Sequence, residues 1–303
     1  MKKILILKHG SLGDIILALD AFKAVKTKYS DSLIYLLTEE KYISFLKKSK
    51  LFNDYILDNR KGTSFKIIYN LSKIKFNIII DLQNSQRTAF YNLFFRFFNT
   101  AKICSSRPFA HYRYKIPKQG TETVSMGLFN QLKLLGISEV KNNDYEWLKV
   151  EIKQKIIKPM ALFIPGVSKN SISKQWEPVK FAKVASYLEN IGYTICVIGT
   201  DNDKQSIFPI INECKNALNM INKSPPEIIY SLSLEAKIIF SNDTGPGHIA
   251  ALSKNNIIWI GNQNRISRAN LDNNKNFHKL LSSSVKNISH EEVINFINDK
   301  NLI

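Results

Sequence analysis

A glycine-rich turn that ends in a carboxylate lies close to the start of the chain. The segment 8–14 is KHGSLGD and directly follows the apolar run Ile4–Leu7. Its two glycines let a ligand approach the backbone closely, and the helix that follows offers free amide donors to an anion. Asp14 has two interpretations: a helix cap, which spacing alone favours, or a general base that takes a proton from a hydroxyl. The spacing matches neither the GxGxxG fingerprint nor a P-loop, so neither nicotinamide nor Walker-type binding is predicted.

A second segment with chemically useful side chains, 241–248, is SNDTGPGH and follows another apolar run. Its carboxylate or hydroxyl can cap the next helix, its proline suits an early helical position, and its glycines leave the backbone uncovered for a phosphate group. A capped turn alone is the simpler interpretation, but glycines, a hydroxyl and an imidazole together at a strand end favour phosphate binding. The candidate residues are Asp243, Thr244, Gly245, Gly247 and His248.

Two further strand ends carry polar side chains. In the segment 165–176, Lys174 comes just before a predicted helix and can hold a diphosphate as a point charge. An exposed loop lysine is the alternative in so basic a chain. In the segment 198–203, Asp201 or Asp203 can accept hydrogen bonds from the hydroxyls of a ribose, or either can cap a helix.

Apolar runs and amphipathic stretches alternate along the whole chain in a βαβ rhythm, which predicts two α/β domains with parallel sheets. Ligands of such sheets bind beyond the carboxyl ends of the strands, where the segments above lie. We expect two domains, 1–155 and 156–303. The last helix, predicted within 291–303, packs either on its own domain or back on the first domain. Predicted strands are Ile4–Leu7, Leu33–Leu37, Tyr55–Leu57, Ile78–Asp81, Ile103–Cys104, Ala161–Ile164, Thr194–Ile198, Lys237–Ser241 and Ile257–Ile260. Predicted helices are 15–28, 39–48, 64–73, 85–97, 178–190, 202–215, 226–234 and 246–253.

The composition indicates an ordinary folded protein. Of the 303 residues, 44% are hydrophobic and 22% charged, which argues against disorder. The length exceeds what one core of roughly 250 to 300 residues supports. Three cysteines without regular spacing favour a reducing compartment over a disulfide framework or a four-ligand zinc site, so we expect a cytoplasmic protein. The apolar runs are far shorter than the roughly 20 residues that cross a bilayer, so no membrane span is predicted.

Positive charge is concentrated in the first half of the chain. Residues 1–150 hold 25 basic and 12 acidic residues, a net charge of +13, against 18 and 13, or +5, in residues 151–303. Such a field attracts polyanions, either nucleic acid or an anionic lipid surface. Lysine is abundant throughout, so compositional bias is the alternative explanation. Zinc-ligand spacing, an RNP signature and a basic helix are all missing from the sequence, so no nucleic-acid partner is expected.

Four segments occur in the order and at the distances typical of one enzyme family. They are SLGD at 11–14, DLQNSQR at 81–87, SKQW at 173–176 and NDTGPGH at 242–248. With them, nearly the whole chain resembles glycosyltransferase family nine, the ADP-heptose:lipopolysaccharide heptosyltransferases. The resemblance implies a GT-B fold, in which two Rossmann-like domains with parallel sheets face each other across a cleft. It also implies inverting transfer, without metal or cofactor, from a nucleotide-sugar donor, ADP-heptose, on the second domain to an acceptor on the first.

The resemblance also assigns roles to residues. Asp14 corresponds to the catalytic base, which would take the proton of the acceptor hydroxyl as that oxygen attacks the anomeric carbon. The family's acidic ribose contact has no unique counterpart, because Asp201, Asp203 and Lys204 compete for it, and the choice of nucleotide base stays open. The implied donor-binding residues are Ser11, Gly13, Lys174, Gly199, Thr200, Asp243, Thr244, Gly245, Gly247 and His248.

An acceptor built of lipid A and inner-core sugars would explain the basic first half. Such an acceptor is anionic and lies in a membrane, so we expect a peripheral protein at the cytoplasmic surface of the inner membrane. The aromatic segment 90–98 has two interpretations: core packing, which we favour, or contact with that membrane. The alternative activities are transfer to another glycan and epimerisation of a nucleotide-sugar. Candidate acceptor-binding residues are Arg87, Arg107, Arg113, Lys115 and Lys118.

Overall fold

Two parallel sheets bring the polar segments to the ends of strands. The computed structural model describes residues 1–62, 65–118, 121–140, 144–263 and 274–303. These residues form two compact units, Met1–Trp147 and Leu148–Ile303. Each unit contains a six-stranded sheet whose described neighbouring strands run parallel, with helices between successive strands. The α/β class and the parallel sheets predicted from the βαβ rhythm are confirmed.

The first unit is built around the neighbouring strands β1 and β4. Its strands are β1 (Lys3–Leu7), β2 (Leu33–Thr38), β3 (Asp54–Leu57), β4 (Ile78–Asp81), β5 (Lys102–Ser105) and β6 (Tyr112–Arg113). Its helices are α1 (Leu12–Leu17), α2 (Leu19–Lys28), α3 (Ile43–Lys48), α4 (Phe65–Ser72), α5 (Gln86–Phe98) and α6 (Val124–Lys133). The order β3-β2-β1-β4-β5-β6 puts Leu7 opposite Asp81 at the carboxyl ends of the central pair. The strand order reverses at this pair, which is where sheets of this kind bind ligands.

The second unit repeats the same strand order. Its strands are β7 (Met160–Ile164), β8 (Thr194–Gly199), β9 (Leu218–Ile221), β10 (Ile238–Asn242), β11 (Asn256–Asn262) and β12 (Phe277–Ser282). Its helices are α7 (Pro178–Asn190), α8 (Lys204–Glu213), α9 (Pro226–Glu235), α10 (Gly245–Ala251) and α11 (His290–Asp299). The sheet order is β12-β11-β10-β7-β8-β9, so β7 and β10 form the central pair and Ile164 lies opposite Ser241.

Burial on both faces of the sheets explains why the central strands are continuous apolar runs. Every residue of β1 after Lys3 is fully buried, and every residue of β7 and β10 is buried. In the second unit the rings of Phe163 and Phe240 stack 4.9 Å apart across the central pair, and Trp176 contacts Phe181 edge-on at 4.7 Å. The strand ends are therefore fixed by packed cores beneath them.

Several elements differ from the sequence prediction. The helix expected over 15–28 is two helices that meet at Ala18. The strands β6, β9 and β12 and the helix α6 were not predicted. All three strands are edge strands, and in β12 His278 and Lys279 interrupt the apolar run that marks a buried strand. Gly127 lowers the helical signal of α6.

The unit boundary and the last helix also differ from expectation. Residues 148–155 belong to the second unit and not to the first, because Leu148 is buried and the amide of Val150 donates to Ser231 Oγ at 2.8 Å. Helix α11 packs on α7 in its own unit and buries Val293 and Ile297 there. This corrects the option that the last helix packs back on the first domain. Among the residues described, every helix falls short of the length and apolarity that a bilayer crossing demands.

Replacing Gly10 with alanine should destabilise the first unit. Gly10 has φ +122°, and a Cβ there would overlap the ring of Tyr42. Gly136 is the matched control, because its φ is +65° and open space surrounds it. In denaturant titrations we expect Gly10→Ala to lower the free energy of unfolding by about 3 kcal/mol and Gly136→Ala by about 1 kcal/mol. Equal losses would contradict the close packing described here.

Candidate functional site

The turn after β1 holds Asp14 in a defined orientation. Ser11 is the N-cap of α1, and Asp14 Oδ2 accepts hydrogen bonds from the amide and the hydroxyl of Ser11 at 2.9 and 3.1 Å. In the structure, therefore, the contacts of Asp14 are those of a helix cap. Both bonds reach the same oxygen, and Oδ1 has no hydrogen-bond partner among the described residues. The half-buried carboxylate thus keeps one oxygen open for another proton donor.

A buried lysine lies beneath this turn. Lys8 is 4% exposed, and its Nζ donates to the carbonyl of Leu82 at 2.9 Å. Burial lowers the pKa of Lys8, and the nearby carboxylates of Asp14 and Asp81 partly offset that effect. Sequence reasoning did not select Lys8, although a charged residue directly after a fully apolar strand was a usable signal.

The DLQNSQR segment, which begins at the end of β4, holds the turn after β1 in place. Gln83 Oε1 accepts hydrogen bonds from the amides of His9 and Gly10 at 3.0 and 3.4 Å. Asp81 is fully buried, and its Oδ1 accepts from the amides of Gln83 and Asn84 at 3.1 and 2.8 Å. Burial raises the pKa of Asp81 even though these hydrogen bonds oppose that effect. The segment shapes the strand ends and places Gln83 across them.

A second buried carboxylate, Asp58, was missed by sequence reasoning. It follows β3, and its Oδ2 lies 2.6 Å from His9 Nε2 and accepts from the hydroxyl of Tyr91 at 2.5 Å. Arg87 donates to both oxygens, from Nε at 2.9 Å and from Nη2 at 2.8 Å. Burial opposes ionisation, but these hydrogen bonds outweigh it and hold the pKa of Asp58 well below its usual range. The group joins the ends of β1 and β3 to α5.

The five candidate acceptor-binding residues do not share one environment. Arg87 is paired with Asp58 after β3, whereas Arg107 donates from Nε to the carbonyl of Asn84 after β4 at 2.5 Å. The other three are exposed on β6 and in the segment that follows it; they are Arg113, Lys115 and Lys118.

The second unit brings Lys174, Asp243 and His248 together at the ends of β7 and β10. Lys174 Nζ lies 2.5 Å from Asp243 Oδ2, and His248 Nε2 lies 3.7 Å from Asp243 Oδ1. Burial opposes ionisation of Asp243, but the contacts with His248 and Lys174 lower its pKa to about 2. His248 is 6% exposed, packs against Trp259 at 5.0 Å, and its Nδ1 has no hydrogen-bond partner among the described residues. The sequence prediction placed all three in one site, and the structure brings them into contact.

Asn242 and Trp176 hold the lysine-bearing loop against β10. The amide of Trp176 donates to Asn242 Oδ1 at 3.0 Å, and Asn242 Nδ2 donates to the carbonyl of Pro165 at 2.8 Å. The buried indole of Trp176 donates from Nε1 to Ile288 at 2.8 Å. Lys174 is thus two residues from Trp176, whose backbone amide and indole are both held by hydrogen bonds. Both motifs are visible in the sequence, but their spacing does not predict that Asn242 and Trp176 anchor the loop.

Packing limits the space at two glycines of the candidate site. A Cβ at Gly247 would overlap Ser241 Oγ and lie 2.9 Å from the ring of Trp259, so helix packing favours glycine there whether or not a phosphate binds. A Cβ at Gly199 would lie 2.6 Å from Ile207 Cδ1, the end of a flexible side chain that can shift. Thr244 is the N-cap of α10, with half-buried Gly245 next to it and Gly247 buried behind them.

The acidic residues after β8 have separate roles. Asp203 Oδ2 accepts from the amide and the hydroxyl of Thr200, both at 2.8 Å, which caps a short helical turn as Asp14 does in the first unit. Asp201 is exposed and contacts Lys204 at 2.9 Å and Asn222 at 2.7 Å. Of the two acidic candidates for a ribose contact, Asp203 acts as a cap, whereas Asp201 pairs with Lys204, the third candidate.

The described residues contain no group of three or more His, Cys, Asp or Glu side chains placed to hold a metal ion. The three cysteines are buried free thiols whose pKa burial raises to about 12.

The family model of glycosyltransferase family 9 (heptosyltransferase) matches residues 64–280. The chain belongs to glycosyltransferase family 9. The range that matches the family model includes Lys174, Asp243 and His248 of this family 9 glycosyltransferase. Asp14 lies before that range. No curated protein matches the chain in sequence.

Solved structures similar to this family 9 glycosyltransferase show the GT-B fold. A family 9 glycosyltransferase from Veillonella parvula is 17% identical, with a TM-score of 0.78 over 98% of this chain and 96% of that one. The E. coli heptosyltransferase WaaC with ADP-2-deoxy-2-fluoro heptose is 16% identical, with a TM-score of 0.74 over 98% and 99%. A UDP-GlcNAc 2-epimerase from Methanocaldococcus jannaschii is 14% identical, with a TM-score of 0.62 over 98% and 92%. The fold alone is thus common to transferases and epimerases, and the family model distinguishes them.

Replacing Asp58 with asparagine should strongly destabilise the first unit at neutral pH. Removing one partner of a buried ion pair leaves the other uncompensated, which costs about 3 kcal/mol. Because the folded-state pKa of Asp58 is depressed, its contribution is complete above about pH 4 and is lost as the pH falls. The destabilisation measured by denaturant titration should therefore shrink between pH 6 and pH 3.

Asp201→Asn is the control for this measurement, because Asp201 is an exposed carboxylate paired with Lys204. Its effect should stay within about 0.5 kcal/mol at both pH values. An Asp58→Asn variant as stable as Asp201→Asn would show that the Asp58 group does not stabilise the unit.

Proposed function

We propose that the protein transfers a heptose from ADP-heptose to the anionic inner core of lipopolysaccharide, with inversion at the anomeric carbon. Membership of family 9 makes the chain a glycosyltransferase, and the donor and acceptor are the new part of this statement. The observation that carries it is the contact group of Lys174, Asp243 and His248, which combines donors for diphosphate oxygens with a carboxylate for sugar hydroxyls. A structurally similar heptosyltransferase has a fluorinated ADP-heptose bound, which supports this donor.

The side chains of Lys174, Asp243 and His248 suggest which part of the donor each residue would bind. Asp243 stays ionised with a pKa of about 2, so its oxygens only accept hydrogen bonds. It therefore suits the hydroxyls of the sugar and repels the phosphates. Lys174 and His248 are donors on either side of it and suit the diphosphate oxygens. In this proposal Thr244 and Gly245 approach the diphosphate, and Gly199 and Thr200 lie on the nucleoside side.

Asp14 is the proposed catalytic base. Its Oδ2 is held by Ser11, and its Oδ1 is available to take the proton of the acceptor hydroxyl. The hydroxyl oxygen then forms a bond to the anomeric carbon from the face opposite the diphosphate, and the bond from that carbon to the diphosphate oxygen breaks. Gly13 and Ser11 keep the turn narrow beside the sugar.

The departing diphosphate gains negative charge. In this proposal side chains, and not a metal ion, stabilise that charge. Lys174 is fixed two residues from Trp176, so its ammonium group needs little rearrangement to meet that charge. His248 adds a second donor from the first turn of α10.

The acceptor is proposed to bind the first unit. Arg113, Lys115 and Lys118 are exposed there, and Arg107 is held beside the end of β4, so anionic sugars or phosphates would find several cations. Arg87 is the weakest member of this set, because Asp58 already takes two of its donors. An acceptor embedded in a membrane also implies a peripheral protein at the cytoplasmic surface of the inner membrane.

Epimerisation of a nucleotide-sugar is the second candidate, favoured by the structural similarity to a UDP-GlcNAc 2-epimerase. The two activities differ in their need for an acceptor. An epimerase converts its donor alone, whereas a transferase releases the nucleotide only when an acceptor is present.

Asp14→Asn should abolish transfer while the protein stays folded. Asparagine can still accept the hydrogen bonds of Ser11 but cannot take a proton, so we expect a loss of about 10²- to 10⁴-fold in kcat. Asp203→Asn removes the charge from the equivalent cap in the second unit, so the two variants should show similar small shifts in unfolding midpoint. Turnover within threefold of the wild type in Asp14→Asn would remove this residue from the mechanism.

Lys174→Gln should weaken the binding of ADP at least tenfold, because a charge-assisted contact to the diphosphate is lost. The control is Lys169→Gln, which changes an exposed lysine five residues earlier in the same loop and should bind ADP normally. Thermal shift and calorimetry in excess EDTA give both affinities without a divalent cation. UDP or GDP binding more tightly than ADP, or equal affinity in both variants, would contradict the proposed donor site.

A further inference from the structure

Exposed aromatic side chains are concentrated on α4 and α5 of the first unit. Phe97, Phe98 and Phe65 are 71, 67 and 65% exposed, and Tyr69 and Phe90 are also exposed. Large aromatic side chains are usually buried, so five exposed ones on two adjacent helices need an explanation. We call these five residues the α4–α5 aromatic surface.

Helix α5 is apolar on two sides. Tyr91 and Phe95 are fully buried and belong to the core of the unit, as the core-packing interpretation of segment 90–98 expects. Phe90 and Phe97, seven residues apart, are on another side of the helix, two turns from each other. The ring of Phe90 meets Phe65 of α4 at 5.7 Å, which makes the exposed rings of the two helices continuous. The core therefore explains only one side of α5.

The stretch of chain that contains this surface is strongly basic. Between Asn59 and Thr121 the sequence contains twelve Lys and Arg residues and one acidic residue, Asp81, which is fully buried. Lys66 lies on α4 and Arg96 on α5, both exposed, and Lys73 Nζ lies 4.2 Å from the ring of Tyr69. The stretch of chain that carries the aromatic rings is therefore basic and has no exposed carboxylate, and one of its lysines lies on an exposed ring.

Exposed phenylalanines next to lysines suit a partner that has an anionic surface and an apolar layer directly beneath it. Phenylalanine has no hydrogen-bonding group, so it gains most where it leaves water for hydrocarbon. A second copy of this chain would bring like charges together, which is unfavourable. We propose that the α4–α5 aromatic surface docks on the anionic headgroups of a phospholipid bilayer and inserts Phe97 and Phe98 into its interface.

This inference concerns the attachment of the protein and does not depend on which sugar it transfers. A bilayer that holds the first unit by α4 and α5 would keep a lipid-linked acceptor close to the same unit. The test uses vesicle binding by the full chain, so its result is independent of any transferase assay.

Sedimentation with vesicles of phosphatidylglycerol and phosphatidylcholine tests the aromatic part of the surface. The double variant Phe97→Ser/Phe98→Ser should partition at least tenfold less than the wild type. Phe208→Ser is the matched control, because Phe208 is 46% exposed on α8 of the second unit and should leave partitioning unchanged. Equal partitioning of the wild type and the double variant would overturn the proposal.

The cations are tested in the same way. Lys66→Gln and Lys73→Gln should each reduce partitioning roughly fivefold, whereas Lys215→Gln in the second unit should have no effect. Vesicles of phosphatidylcholine alone should bind weakly. Binding that is insensitive to these changes, or a surface whose variants lose single-stranded oligonucleotide binding but not vesicle binding, would contradict a lipid partner.

A direct probe covers the case in which the double variant folds poorly. Phe97→Trp should be quenched by brominated lipid in the vesicles, and Phe208→Trp should not. Absence of quenching at position 97 in protein that sediments with the vesicles would show that another surface binds.

Discussion

Side-chain amides bridge the ends of the central strands in both sheets and hold the turns on which the candidate residues depend. In the first unit Gln83, after β4, accepts hydrogen bonds from the amides of His9 and Gly10, after β1. In the second unit Asn242, at the end of β10, donates to the carbonyl of Pro165, after β7. Backbone groups beyond the last ladder pair need partners, and these amides supply them where the strand order reverses. The turns that carry the candidate residues are fixed as a result.

Fixed turns allow carboxylates to be buried beside cations. Asp58 keeps its charge because His9 and Arg87 lie against it, and Asp243 keeps its charge because Lys174 and His248 do. Asp14 differs from both, since its side-chain hydrogen bonds among the described residues come from Ser11 and use one of its oxygens. A carboxylate with all its bonds made stabilises structure, whereas one with an open oxygen is available for proton transfer. This contrast is why the proposed base is Asp14.

The sequence predicted the features that depend on local periodicity and spacing. Buried strands such as β1 and β7 show as continuous apolar runs, and the cap at Asp14 is visible because its partner is three residues away. Edge strands such as β12 carry mixed polarity and were missed. The Asp58 group was missed because its partners lie 49 and 29 residues away, so only the folded sheet brings them together. Gly247 was assigned to a ligand, although helix packing already demands it.

The central claim is that this family 9 protein transfers a heptose from ADP-heptose with inversion. The most direct measurement is NMR of a reaction that contains ADP-heptose and a purified inner-core lipopolysaccharide acceptor. We predict release of ADP only when the acceptor is present, and a new glycosidic bond whose anomeric configuration is opposite to that of the donor. Conversion of the donor without acceptor, or a product that retains the donor's configuration, would contradict the account.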